Sequence, residues 1–260
     1  MSYESPYTGL KVIDLSQGIA GPYCAMLLAQ YGADVIKIEP PNGDWARQLG
    51  KTFGDHTAFS IAGNLGKRSV VLDLKEDASK VALWKMLEDA DVFFEGFRPG
   101  VMERLGFSYE AVAKRNPRIL YVSVSGFGQR GPLAKKPAMD PVLQAFTGYM
   151  AANPDSEGTP QRAAPIIVDM TTALYSFQAV SAAIFARQGQ EYGRRLEVSL
   201  MEAAANLQCV RMMQTHMVGE LPPSATAPAG AFKCADGYLF IVVLRQPDFV
   251  KVCEIFGLDD

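Results

Sequence analysis

The chain has 260 residues, 48% of them hydrophobic and 20% charged, near the average of a globular protein and enough for one large domain or for one domain and part of another. With 25 basic and 28 acidic residues the net charge is −3, which gives no footprint for nucleic acid and no single-sign tail. Four cysteines (Cys24, Cys209, Cys234, Cys253) form no CxxC pair, and with His56 and His216 as the two histidines a zinc site is not expected. The opening MSYESPYTGLKVIDL lacks a basic n-region followed by an apolar h-region, and no apolar run reads as long enough to span a bilayer. A reduced, cytoplasmic enzyme without a nucleic-acid or membrane partner is the simplest class.

Taken in order, LKVIDL (10–15) reads as a strand and PYCAMLLAQY (22–31) as a helix, with Pro22 at a permitted first-turn position and Gly32 as a stop. DVIKIE (34–39) is the next strand, and SVVLDL (69–74) a buried one followed by a helix over about 76–89. DVFFE (91–95), a helix near 108–115 and ILYVSVS (119–125) continue the alternation. TTALYSFQAVSAAIFARQ (171–188) is small and apolar enough for a buried helix, RLEVSL (195–200) is a strand, and a helix covers about 201–218. Strands alternating with helices predict an α/β fold: a doubly wound, mostly parallel, Rossmann-like sheet whose ligands bind beyond the carboxyl ends of the strands. The texture then changes. LPPSATAPAG (221–230) reads as a linker, FKCADGYLFIVV (232–243) as a hairpin turning at Asp236-Gly237, and QPDFVKVCEIFG (246–257) as a short helix. A hairpin and one helix bury little core. The expected organisation is a large domain over 1–220, a linker over 221–230, and at 231–260 the start of a smaller α+β domain whose remainder is absent.

The first strand ends in DLSQGIAGPYC, where Gly18 and Gly21 give GxxG rather than the GxGxxG of a dinucleotide turn. The turn still offers backbone N–H groups at a helix start, where a phosphate can bind. Glu39 ends the second strand, at a place where NAD enzymes keep an acid, but without the glycine pattern a dehydrogenase is disfavoured. Lys67, Arg68 and Lys75 surround one strand, and Arg98 and Arg104 follow the next; singly they read as solvated charge, together as a rim that suits a phosphorylated ligand. There is no GxSxG elbow and neither histidine has an obvious Ser or Cys partner, which places the weight on carboxylates. Asp169, between PIIVD and the apolar helix, is the central candidate. From that segment alone a helix cap is the commoner role, but a carboxylate held in an enclosed site is also a nucleophile.

GLKVIDLSQGIAGP, YGADVIKIEPPNGDWAR, NLGKRSVVLDLK, DVFFEGFRPG, NPRILYVSVSGFGQRGP and IIVD, in this order and spacing, resemble the class III coenzyme A-transferases. That family includes formyl-CoA:oxalate and carnitine CoA-transferases and shares its fold with α-methylacyl-CoA racemases. The resemblance implies that Asp169 attacks an acyl-CoA thioester and carries CoA as an aspartyl-CoA thioester to an acceptor acid, and that the cap role coexists. It implies CoA contacts at Gly18, Ile19 and Ala20, at Leu72 and Lys75, and at Gly96, Phe97, Arg98 and Arg104. The same resemblance implies that Met139 and Asp140 lie in the substrate pocket. Many members read ENFRPG, whereas Gly96 replaces the Asn here; others carry Lys and Tyr where this chain has Pro137 and Met139, with Lys135 and Lys136 displaced. Racemases place a His before the Asp that matches Asp140; Met139 cannot transfer a proton, which favours transfer over racemisation. The apolar stretch 139–150 suits either a weakly polar acyl site or a packed helix. The family further implies no permanently bound cofactor, coenzyme A or acyl-CoA as substrate with a carboxylic acid acceptor, an interlocked homodimer, and subunits markedly longer than this chain. The alternatives are a racemase-like isomerase and, because the chain is short for the family, a non-catalytic CoA-binding protein.

Overall fold

The computed structural model describes residues 5–155, 157–220 and 226–258; residues 221–225 of the expected linker lie outside them. In chain order the elements are β1 (Lys11–Asp14), α1 (Ala20–Gln30), β2 (Asp34–Glu39), a 3-10 turn (Trp45–Gln48), β3 (Thr52–Phe53), β4 (His56–Thr57), α2 (Ala58–Ala62), β5 (Arg68–Val71), α3 (Asp77–Leu87), β6 (Val92–Glu95), α4 (Val101–Leu105), α5 (Tyr109–Arg115), β7 (Leu120–Ser125), α6 (Asp140–Phe146), α7 (Ile167–Arg187), β8 (Arg194–Ser199), α8 (Leu200–Leu207), α9 (Cys209–Val218), β9 (Ala229–Lys233), β10 (Tyr238–Val242) and α10 (Gln246–Phe256). They divide into two compact units, Met1–Leu207 and Gln208–Asp260.

In the first unit six parallel strands lie in the order β5-β2-β1-β6-β7-β8. Numbered along the chain this is 3-2-1-4-5-6, the Rossmann order, whose direction reverses between β1 and β6. The period of two along the strands builds both faces. Val12, Val92, Phe94, Leu120, Val122 and Val124 pack with α1 and α7 on one side, while Ile13, Phe93 and Tyr121 pack with Leu83 and Leu87 of α3 and Val112 of α5 on the other. Every residue of β6 and β7 is buried, as a central strand covered by two helical layers requires. The strand at 69–74 was expected to be buried; β5 instead closes one edge of the sheet and leaves most of its side chains exposed.

Two further expectations are corrected. The helix expected over 201–218 breaks at Gln208 into α8 and α9. At 21 residues and a mean hydropathy of 1.2, α7 is long and apolar enough to cross a membrane, although no apolar run was expected to be. Its Val168, Thr172, Ala173, Ser176, Val180 and Ala183 are buried within the first unit, the position of a core helix.

The second unit contains α9, the antiparallel β9–β10 hairpin and α10. Its turn holds Asp236 and Gly237, with the Cys234 amide donating to the Gly237 carbonyl at 2.8 Å. Tyr238, Phe240 and Leu244 are exposed, as expected of a hairpin and helix too small to enclose a core.

Candidate active site

The reversal between β1 and β6 opens a crevice beyond their carboxyl ends, where ligands of such sheets bind. A cavity of about 600 Å³ lies there. The segment after β1 (Leu15–Gln17, Ile19–Gly21), the turn after β6 (Gly96–Pro99), the end of β7 (Val124–Gly126), the stretch Lys136–Pro141 and the start of α7 line it.

The turn after β1 has an uncommon requirement. Gly18 has φ +82°, and a Cβ there would come 2.2 Å from the indole of Trp45. Glycine alone meets both the left-handed backbone and the close approach. The Gly18 amide donates to the Asp44 carboxylate at 3.0 Å, and Asp44 also accepts from Ala46 N, starting the 3-10 turn that carries Trp45. The Ser16 amide donates to Asp14 at 3.0 Å.

Asp169 lines the cavity from the first turn of α7. The structure corrects the cap reading. The helix begins at Ile167, its cap residue Ile166 makes no side-chain cap bond, and Asp169 lies inside the first turn. The capping carboxylate comes from another helix: Asp140 accepts from Val168 N at 2.7 Å and from Asp169 N at 3.1 Å. The other Asp140 oxygen accepts from Gln144 Nε2 at 2.6 Å, and Gln144 Oε1 accepts from Ala163 N at 3.0 Å. The α7 amides and their dipole are thereby committed to Asp140, which is buried, rather than to Asp169. Burial first, and the Asp140 charge second, push the Asp169 carboxyl up from 3.8 to about 7.

At the end of β6, Glu95 is buried beneath the same cavity wall and accepts from Phe97 N at 2.9 Å, shaping the Gly96–Arg98 turn. Burial outweighs that bond and pushes Glu95 up to about 7. The buried hydroxyl of Ser125, which lines the cavity, has no partner among the described residues.

Of the residues singled out in the sequence, Ile19, Ala20, Gly96, Phe97, Arg98, Met139, Asp140 and Asp169 come together around one cavity. Gly18 lies under Trp45 in the adjoining turn. Leu72 and Lys75 follow edge strand β5, and Arg104 lies in the last turn of α4; these three do not line the cavity. The rim of cations is corrected in part. Lys67 is an internal ion-pair partner of Asp14 at 2.7 Å and Arg68 pairs with Asp34 at 2.7 Å. Glu39 is committed to Arg47 at 2.7 and 2.8 Å, which with Ser69 holds its pKa at about 2. The α6 stretch is divided: Met139 lines the cavity, Leu143 packs in the core, and Val142 and Phe146 are exposed.

Sequence reasoning missed Trp45, Ser125 and Arg162, all of which line the cavity. Each comes from a different loop or strand end, so no local spacing links them. Among the described residues no cluster of His, Cys, Asp and Glu has the geometry of a metal site.

Residues 7–260 match the model of CoA-transferase family III. The chain is 36% identical to the acetyl-CoA:oxalate CoA-transferase of Acetobacter aceti and 31% identical to the succinate–glutarate CoA-transferase of Agrobacterium fabrum, in each case over 98% of this chain and 67% of the relative. The crystal structure of a CAIB/BAIF family protein from Brucella suis superposes with a TM-score of 0.88 at 29% identity, covering 98% of this chain and 70% of that one. The chain thus spans about two thirds of the length of these relatives. In sequence and in fold, it belongs to CoA-transferase family III.

Proposed function

We propose that the protein moves coenzyme A between carboxylic acids, with Asp169 as the covalent carrier. The observation that carries this reading is the carboxyl group of Asp169, which lines the cavity at the sheet's reversal point from a helix's first turn, while the second carboxyl there, Asp140, is spent on the α7 amides. The relatives named for CoA transfer to oxalate and between succinate and glutarate support the reaction class.

In the proposed cycle an Asp169 carboxylate oxygen attacks the thioester carbonyl of the donor acyl-CoA; the C–S bond breaks and a mixed anhydride forms. The thiolate then attacks the Asp169 carbonyl carbon, releasing the donor carboxylate and leaving an aspartyl-CoA thioester. The acceptor carboxylate attacks that thioester, expelling the thiolate, which attacks the acceptor's acyl carbon and restores the Asp169 carboxylate. No net proton is consumed, which suits a site whose reactive group is a carboxylate and whose lining, among the described residues, includes no histidine. Asp140 holds the α7 backbone and thereby the direction of Asp169. The Gly96–Arg98 turn and Ile19 and Ala20 form the CoA face in this reading, with Leu72, Lys75 and Arg104 farther out toward the nucleotide. Met139, beside Asp140, cannot shuttle an α-proton, which favours transfer over racemisation. A homodimer is part of the same proposal.

The test is intact mass after incubation with a panel of acyl-CoAs, with and without hydroxylamine, for the wild type and Asp169→Ala. A hydroxylamine-sensitive adduct in the wild type that the variant lacks is expected. An adduct that persists in Asp169→Ala refutes the carrier assignment, and CoA binding without any adduct returns the chain to a binding role.

A further inference from the structure

Beneath the turn that follows β1 lies a group of four charged side chains almost without solvent contact. Asp14, Lys37, Asp44 and Lys67 have side-chain exposures of 0%, 2%, 2% and 1%. They come from β1, β2, the loop before the 3-10 turn and the loop before β5, so only the folded sheet assembles them. Lys37 pairs with Asp44 at 2.8 Å and lies 3.8 Å from Asp14; Lys67 pairs with Asp14 at 2.7 Å. The group is neutral as a whole, two acids against two ammonium groups.

All four also hold backbone of one short segment. Asp14 accepts from Ser16 N, Lys37 Nζ donates to Ser16 O, Asp44 accepts from Gly18 N, and Lys67 Nζ donates to Pro22 O at 2.7 Å. Lys67 is tied to a third acceptor, Asn64 Oδ1, at 2.9 Å. The amides of Ser16 and Gly18 are thus spent on internal acids. The amide of Gln17 between them and that of Ile19 just after Gly18, both on residues lining the cavity, have no acceptor among the described residues.

A buried ion group of this kind is a poor way to gain stability. Removing ions from water costs several kcal/mol each, and apolar replacements of similar volume are often neutral or stabilising. What it supplies is fixed geometry, because each ion has one arrangement that satisfies its partners.

We propose that Asp14, Lys37, Asp44 and Lys67 are positioning residues that clamp the Ser16–Pro22 segment, so that the amides of Gln17 and Ile19 are held ready for oxygen atoms of the bound ligand. The identity of that ligand as an acyl-CoA rests on the function proposed above; the clamp itself does not.

The test is the double variant Lys37→Met/Asp44→Asn in the full chain. It removes one ion pair as a unit, leaves Asp14 with Lys67, and keeps an amide oxygen for the Gly18 N–H. Acyl-CoA affinity, read from the concentration dependence of Asp169 adduct formation, is expected to fall about tenfold, with the saturating rate within about twofold of wild type. Leu83→Ala, a cavity in the opposite core cluster, is expected to lower the unfolding midpoint without moving that affinity. Unaltered affinity in the double variant, or an equal loss in Leu83→Ala, overturns the proposal. If the double variant does not fold, the single Asp44→Asn is read by the same two outcomes. If the wild type forms no adduct, the function reading fails, and the clamp is judged by amide hydrogen exchange. Exchange at Ser16–Gly18 is expected to be faster in the variant, and identical protection defeats the clamp.

Discussion

Replacing Asp140 by Asn tests how the site sets the ionisation of Asp169. The carboxyl of Asp169 is displaced from 3.8 to about 7. That displacement amounts to about 4 kcal/mol against the carboxylate. Burial is the larger cause and the Asp140 charge the smaller, so removing the charge returns less than half of it: about one pH unit, to a value near 6. An Asn keeps one oxygen for the amides of Val168 and Asp169, but its NH2 then faces Gln144 Nε2, which now donates to Asp140. Losing that bond costs about 1 kcal/mol of stability. The assay is the rate of hydroxylamine-sensitive adduct formation at low acyl-CoA, followed from about pH 5 to about pH 9, which reports groups of the free protein. The wild-type rate is expected to rise with pH around a midpoint of about 7, because the carboxylate is the reacting form. The Asn variant is expected to rise around about 6. At pH 6 that is about half ionised against about a tenth, so its rate relative to its own plateau is about fivefold higher. A midpoint that stays at 7 or moves up refutes the assignment of Asp140 as a repelling charge.

Three further outcomes are expected. Gly18→Ala forces a Cβ to within 2.2 Å of Trp45 at φ +82°, and is expected to lower stability by about 2 kcal/mol in urea unfolding; a change below about 0.5 kcal/mol contradicts the close approach. Glu95 is raised in the fold from 4.5 to about 7, so the folded chain holds its proton more tightly and stability is lost as pH rises from about 4.5 to about 7. Glu95→Gln is expected to remove about 2.5 kcal/mol of that loss when unfolding at pH 5 and pH 8 is compared, and an unchanged difference between the two pH values counts against a buried, protonated Glu95. Arg104→Ala is expected to weaken CoA binding, measured by calorimetry, more than it slows adduct formation at saturation; an unaltered affinity removes Arg104 from the CoA face.

The alternation of apolar strands and helices was enough to reach an α/β sheet, since strands such as VFFE and LYVSVS carry apolar side chains for both faces. The motifs in order were enough for the family, and Asp169 stood out because it precedes a segment small and apolar enough to be a buried helix. Elements at the sheet's margin were misread for a physical reason: SVVLDL has the composition of a central strand, and only pairing decides that β5 has a neighbour on one side. The same holds for charges. Lys67 and Arg68 are adjacent, yet one is sealed against Asp14 and the other lies in solvent against Asp34. Nothing local to IIVD reveals that Asp140, 29 residues earlier, caps α7, because a cap supplied by another helix leaves no fixed spacing. The sequence by itself determined the fold class, the family and the candidate carboxyl, since these follow from periodicity and from short motifs along the chain. Only the tertiary structure decided which side chains meet at the reversal between β1 and β6, and that Asp169 is held near neutrality. Desolvation and the nearness of Asp140 are properties of the packed chain and not of its order.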